Sequence, residues 1–267
     1  MLIATLAAPV GWREAGDAYQ RTEPDELSSG TPAMTLTILQ IVTQSISSTF
    51  HWLGLYFGTG ALSGAARKRL WIIGSGIIAI AWLLGMLLLA ANDFFRDDVA
   101  PPRIPLALGI TLLFGYLLLL LRDFRTIIAA IPQHWLIGIQ VFRILGGIFL
   151  IRWWQGELPA VFAIPAGVGD TLTGLFAPVV AYWWYTGKPY ARTAAILWNL
   201  FGMADLVDAV VIGRSINDAG IVFPIVVIPI YGVPRGFLMH SYSLIGLLRR
   251  TSMPPAPAGA AEVRSGM

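Results

Sequence analysis

Apolar segments follow one another along most of this chain, each long enough to be a helix and broken only by short polar clusters. Two of them, residues 70–91 and 104–121, contain no charged side chain. Segments 35–62, 133–154, 158–185, 191–213 and 221–248 are also apolar, with polar, charged or proline interruptions. A bilayer-spanning helix needs roughly 20 apolar residues. The pattern therefore predicts an all-α, polytopic integral membrane bundle of about seven transmembrane helices. Three parts follow: an extramembrane N-terminal tail over 1–30, a seven-helix domain over 31–250 and a flexible C-terminal tail over 251–267. The first ten residues are apolar but lack a basic flank and are cut by Pro9, which reads as a tail and not as a cleaved signal peptide.

Composition agrees with the pattern. Hydrophobic residues make up 56% of the 267 and charged residues 12%, and the mean hydropathy is +0.70. No segment is left over for a separate soluble domain. Cysteine is absent, which excludes disulfides, thiolate nucleophiles and Cys-bound metals. The sequence is basic, yet its basic residues sit at segment ends and not in one patch, so nucleic acid is not an expected partner. The expected partners are the lipid bilayer and either other membrane subunits or further copies of this chain.

Charge also orients the bundle, because Lys and Arg favour cytoplasmic loops. With seven spans, one side collects Arg67, Lys68, Arg69, Arg122, Arg125, Lys188, Arg192, Arg249, Arg250 and Arg264 against two acids. The other side carries six basic residues against ten acids. The expectation is an N-terminus outside, a C-terminus in the cytoplasm and a bacterial inner membrane as the setting. Trp153, Trp154, Tyr182 and Tyr185 fall at span ends, where interfacial aromatic belts form.

Five charges depart from this order. Arg143, Asp170, Asp205, Asp208 and Arg235 lie inside apolar segments. An ionisable group at the centre of a span costs about 2.5–3.5 kcal/mol on insertion scales, and such groups are usually paired and functional. Gln140, Arg143 and Gly147 are spaced i, i+3, i+7, which puts them on one helical face. The connection at 155–157 is short, so spans four and five are antiparallel neighbours and an Arg143–Asp170 pair is expected. Pro165, Gly167 and Gly169 suggest a kink or local unwinding beside Asp170. Arg235 is expected to pair with Asp205, with Asp208 nearer the outer surface. Gln140, Asn199 and Thr173 would support the network. Pro224, Pro229 and Pro234 predict a bent or partly unwound start to the last span, with a regular helix resuming near Arg235.

The first span is rich in hydroxyls and amides from Gln40 to Thr49, so it faces either a pore or a partner helix. His51 and His240 lie at similar depth in the first and last spans, where they could be axial ligands of a b-type haem. A pigment or quinone is the other cofactor class that a subunit role would imply, and the sequence does not choose among them. Seven spans with the N-terminus outside resemble the topology of rhodopsins and seven-helix receptors. A retinal Schiff base would need a lysine in the last span, and the only lysines, Lys68 and Lys188, lie in loops. No nucleophile–base spacing is visible, so an enzyme is the weakest reading. The charges imply either ion, proton or small-solute transport, or a scaffold or cofactor-contacting subunit of a membrane complex.

Overall fold

The computed structural model describes residues 30–95, 103–215 and 225–249. The expected tails, and residues 96–102 and 216–224 with Pro224 among them, lie outside the described residues. Backbone contacts divide the chain into two units, 1–38 and 39–267. The described part of the first, 30–38, is the opening of helix α1. All that follows concerns the second.

Among the described residues the secondary structure is entirely helical. Helix α1 runs Gly30–Gly58 and α2 Ala65–Ala91, the latter entered through Gly64 at φ 86°. Of the side chains of α2, only Met86 and Ala90 are buried. Leu70, Ile77, Ile80 and Leu88 stand outward, with Leu70 71% exposed. A continuous apolar exterior of this kind suits hydrocarbon and would be a liability in water.

Helix α3, Arg103–Leu118, turns by 91° into a short helix α4, Arg122–Ala130. The charged stretch between the segments expected at 104–121 and 133–154 is thus largely a helix. Phe124 and Ile127 point inward, and Arg122 and Arg125 outward. Asp123 anchors its start, accepting a hydrogen bond from Trp71 Nε1 at 3.1 Å and lying 3.4 Å from Arg67. Pro132 ends α4 by holding Ile131 extended, at ψ 126°.

Helix α5 spans Gln133–Trp154, as its apolar run predicted, but it is not uniform. Its α-helical ends, Gln133–Gly138 and Ile148–Trp154, flank a 3₁₀ stretch over Ile139–Gly147. A 3₁₀ helix has 3.0 residues per turn, so every third side chain stacks on one edge. Gln140, Arg143 and Gly146 are all buried for this reason, and Gly146 takes the place expected of Gly147. Runs beyond three or four residues are uncommon, and a mid-helix 3₁₀ segment often marks a hinge or a sequence under strain.

Helix α6, Ala160–Tyr185, packs along α5 and α7, Ala191–Ser215. It runs through Pro165 without the unwinding expected there. Pro165 sits in the second turn, so its missing N–H frees only the carbonyl of Val161 near the helix start. Among the described residues of the last apolar segment, a π-helical turn, Ile228–Gly232, precedes α8, Val233–Arg249. The irregular start and the regular helix from Arg235 onward match the proline pattern. Arg192 donates to the carbonyl of Leu247 at 3.1 Å and so serves the C-terminal end of α8.

Four helices, α2, α5, α6 and α7, are long and apolar enough to cross a membrane, and the bent pair α3–α4 makes a fifth if it counts as one span. The expected count was seven. Among the described residues, α1 carries the polar run from Thr43 to Thr49, and α8 has 17 residues.

Candidate functional site: a guanidinium shared by two aspartates

The Arg143 side chain is 2% exposed and reaches from the 3₁₀ stretch of α5 toward α6, α7 and α8. Its Nε donates to Asp170 Oδ1 at 2.6 Å, and Nη2 lies 2.6 Å from the same oxygen. Nη2 also donates to Asp205 Oδ2. Nη1 donates to the carbonyl of Gly202 at 3.0 Å and to His240 Nε2 at 3.0 Å. Every nitrogen of the guanidinium therefore has a partner, and Arg143 is pinned by three other helices.

The helices come this close because their contact faces lack side chains. A Cβ at Gly174 would overlap the backbone of Ile144 and Arg143, and one at Gly169 would overlap the Asp205 carboxylate. Glycine at these places lets α6 press against α5 on one side and α7 on the other, as small residues do at membrane helix interfaces.

Hydrogen bonds extend the cluster away from the aspartates. Arginine has no acceptor, so the His240 Nε2 lone pair faces Arg143 and the ring proton sits on Nδ1. That proton is donated to Asn199 Oδ1 at 2.9 Å. Asn199 Nδ2 donates to the Ala195 carbonyl at 2.7 Å and to Ser243 Oγ at 2.9 Å. Ser243 Oγ accepts a further bond from Gln133 Nε2 at 2.6 Å. The Trp198 ring lies 4.9 Å from the His240 ring, and its Nε1 donates to the Thr173 carbonyl. One connected polar chain thus runs from the start of α5 to the two aspartates. A cavity of about 40 Å³ adjoins Arg143 and Asp170, with Thr43, Gln44, Phe142 and Gly146 among its walls. It has room for a few waters or one small ion.

Arg235 stands apart from this cluster. Its expected partner was Asp205, but its guanidinium faces α1. It donates to Ser48 Oγ at 2.7 Å, Gln44 Oε1 at 2.8 Å and Ser47 Oγ at 2.9 Å, and it lies over the Tyr231 and Phe142 rings at 4.6 and 5.5 Å. The reason is angular. Residues 235 and 240 are five positions apart, about 140° around an α-helix. Turning His240 toward Arg143 turns Arg235 away. Asp208 is exposed and forms no ion pair with a described residue. Gln140 donates to the Gly236 carbonyl at 3.0 Å and so fastens α5 to α8. Thr173 is buried, and its hydroxyl has no partner among the described residues.

The histidine pair does not fit a bis-histidine haem. Both ring nitrogens of His240 are already engaged, by Arg143 and Asn199. Sequence reasoning did not link His240 to Arg143. The signal was the spacing of Gly236, His240 and Ser243 at i, i+4 and i+7, a small and polar stripe on an otherwise apolar helix. Likewise Gln44, Ser47, Ser48 and His51 are spaced i, i+3, i+4, i+7 and form the face of α1 that receives Arg235.

Residues 101–248, which include this whole cluster, match the family described as Domain of unknown function (DUF8737). No curated protein and no solved structure matches the chain.

Proposed function

The chain belongs to the DUF8737 family, and we propose that it is a multi-pass membrane transport protein that exchanges a proton or small cation at Asp170, Arg143 and Asp205. The observation that carries the reading is a charge imbalance. One guanidinium faces two carboxylates, so the ionised cluster holds one negative charge in excess. Uncompensated charge is costly away from water. A proton shared by the aspartates, or a cation in the adjoining cavity, removes the excess. Arg235 does not, since its donors go to neutral oxygens of α1. Loading and unloading that single charge is the elementary step of a coupled carrier.

The same reading takes seven crossings of a bacterial cytoplasmic membrane, with α1 and the segment ending in α8 as the outermost two. It places the N-terminus outside and the C-terminus inside. The segregation of basic residues supports this orientation. The lipid bilayer is the first partner, and a homo-oligomer or companion subunits remain compatible with it.

Infrared spectroscopy of the protein in lipid tests the charge argument. The expected signal is the carbonyl band of a protonated carboxylic acid, which Na⁺ bleaches if a cation can replace the proton. Asp170→Asn or Asp205→Asn each removes the excess charge and should abolish the band. Wild-type vesicles should carry an ion flux that both variants lose. A band and a flux unmoved by both substitutions would overturn the proposal. The second reading, a scaffold or cofactor-contacting subunit, is favoured by the full occupancy of the Arg143 nitrogens, which leaves no donor for a passing solute. Stoichiometric companion chains in native-membrane preparations, with no flux, would select it.

A further inference from the structure

A cavity of about 190 Å³ lies among α1, α3, α4, α5 and α8, separate from the charge cluster. Its walls are almost wholly apolar, with Phe114, Phe124, Trp135, Met239 and Tyr242 prominent. Besides Trp135, whose indole N–H is a donor, three side chains with polar groups reach it. The Thr111 hydroxyl donates to the Ala107 carbonyl at 2.9 Å, and the Tyr242 hydroxyl donates to the Gly115 carbonyl at 2.7 Å. The third, His51, is only half satisfied. Its Nδ1–H donates to the Ser47 carbonyl at 2.5 Å, which leaves the ring's lone pair on Nε2. Nε2 is buried and has no partner among the described residues. Buried acceptors are normally met, and an unmet one in a native fold calls for an explanation.

The missing partner must be a hydrogen-bond donor. Ketones, ethers and quinones offer only acceptors to this nitrogen, whereas a hydroxyl completes it. The body that carries the hydroxyl must be apolar, and the aromatic walls suit a ring in edge or offset contact. The way in is lateral. Phe114 lines the cavity and is also 48% exposed on the outer face of α3, beside exposed Leu113 and Leu117. A ligand dissolved in hydrocarbon meets this entrance without crossing a polar surface. We propose that the cavity binds a membrane-dissolved phenol or hydroquinone, whose hydroxyl donates to His51 Nε2 and whose ring lies among the aromatic walls.

The test uses the full chain in lipid nanodiscs, with fluorine NMR of para-trifluoromethylphenol and of its methyl ether, para-trifluoromethylanisole. Protein-free nanodiscs supply the partitioning blank. The phenol should bind saturably and about tenfold more tightly than the ether, the worth of one neutral hydrogen bond at the upper end of its range. His51→Phe keeps a ring in place but removes the acceptor, and it should bring the phenol down to the ether's affinity. Leu118→Trp, which fills the cavity, should abolish saturable binding of both. Equal affinity of phenol and ether for the wild-type protein overturns the proposal without recourse to any variant. So does binding that is unsaturable, or phenol affinity unchanged in folded His51→Phe.

Discussion

Arg143 holds its place through five nitrogen–partner contacts, to Asp170, Asp205, Gly202 and His240. Arg143→Ala strands two carboxylates and should cost about 3–5 kcal/mol, read as a lower denaturation midpoint in lipid or detergent. Asp170→Asn added to it should restore part of that loss, and a double-mutant cycle gives the coupling. Arg143→Lys should fail as well, because a point-like ammonium cannot reach α6, α7 and α8 in the planar arrangement that the guanidinium spans. Asp208→Asn, on an exposed residue without an ion pair to a described residue, should stay within about 0.5 kcal/mol of wild type. The Arg143–Asp170 pair was legible because a short connection makes antiparallel neighbours and both residues lie near the middle of their apolar segments. Depth alone could not say which way a side chain faces. That is why Arg235 seemed a partner for Asp205, and why His240 was set beside His51.

Four of the helix lengths were legible in the sequence. The span expected at 133–154 is α5, and those expected at 70–91, 158–185 and 191–213 lie within a few residues of α2, α6 and α7. Helix α4 was hidden by its charges, although Phe124, Ile127, Ile128 and Ile131 follow an i, i+3, i+4, i+7 spacing. The 3₁₀ stretch was not legible, since a three-residue step also fits one turn of an α-helix. Close packing makes a prediction at this scale. Gly174→Ala drives a methyl into the α5 backbone and should destabilise by about 1–3 kcal/mol, as overpacking does. Gly138→Ala is the control, because a Cβ there meets only the Ala181 methyl at an ordinary 3.6 Å. Thermal melts of the two variants in the same detergent decide the point.

The charge pattern speaks for the molecule as a whole. The chain has no cysteine, so single cysteines can be introduced freely. Those at 63–69 and 186–192 should be shielded from a membrane-impermeant reagent in intact cells, and those at 97–100 should react. Labelling of the 63–69 loop from outside would invert the proposed orientation. Within the bundle, α5 is the element on which a change of state would act most widely. Its nine 3₁₀ residues rise about 2.0 Å each, against about 1.5 Å in an α-helix, and turn about 120° each instead of 100°. Rewinding them as α-helix would shorten the segment by about 4–5 Å and rotate one end against the other by about half a turn. Gln133, which bonds Ser243 at the first end, and Arg143, which bonds both aspartates, could not both keep their partners. The segment is a stretched and overwound shaft, and the ion pairs at its middle are the catch that keeps it so.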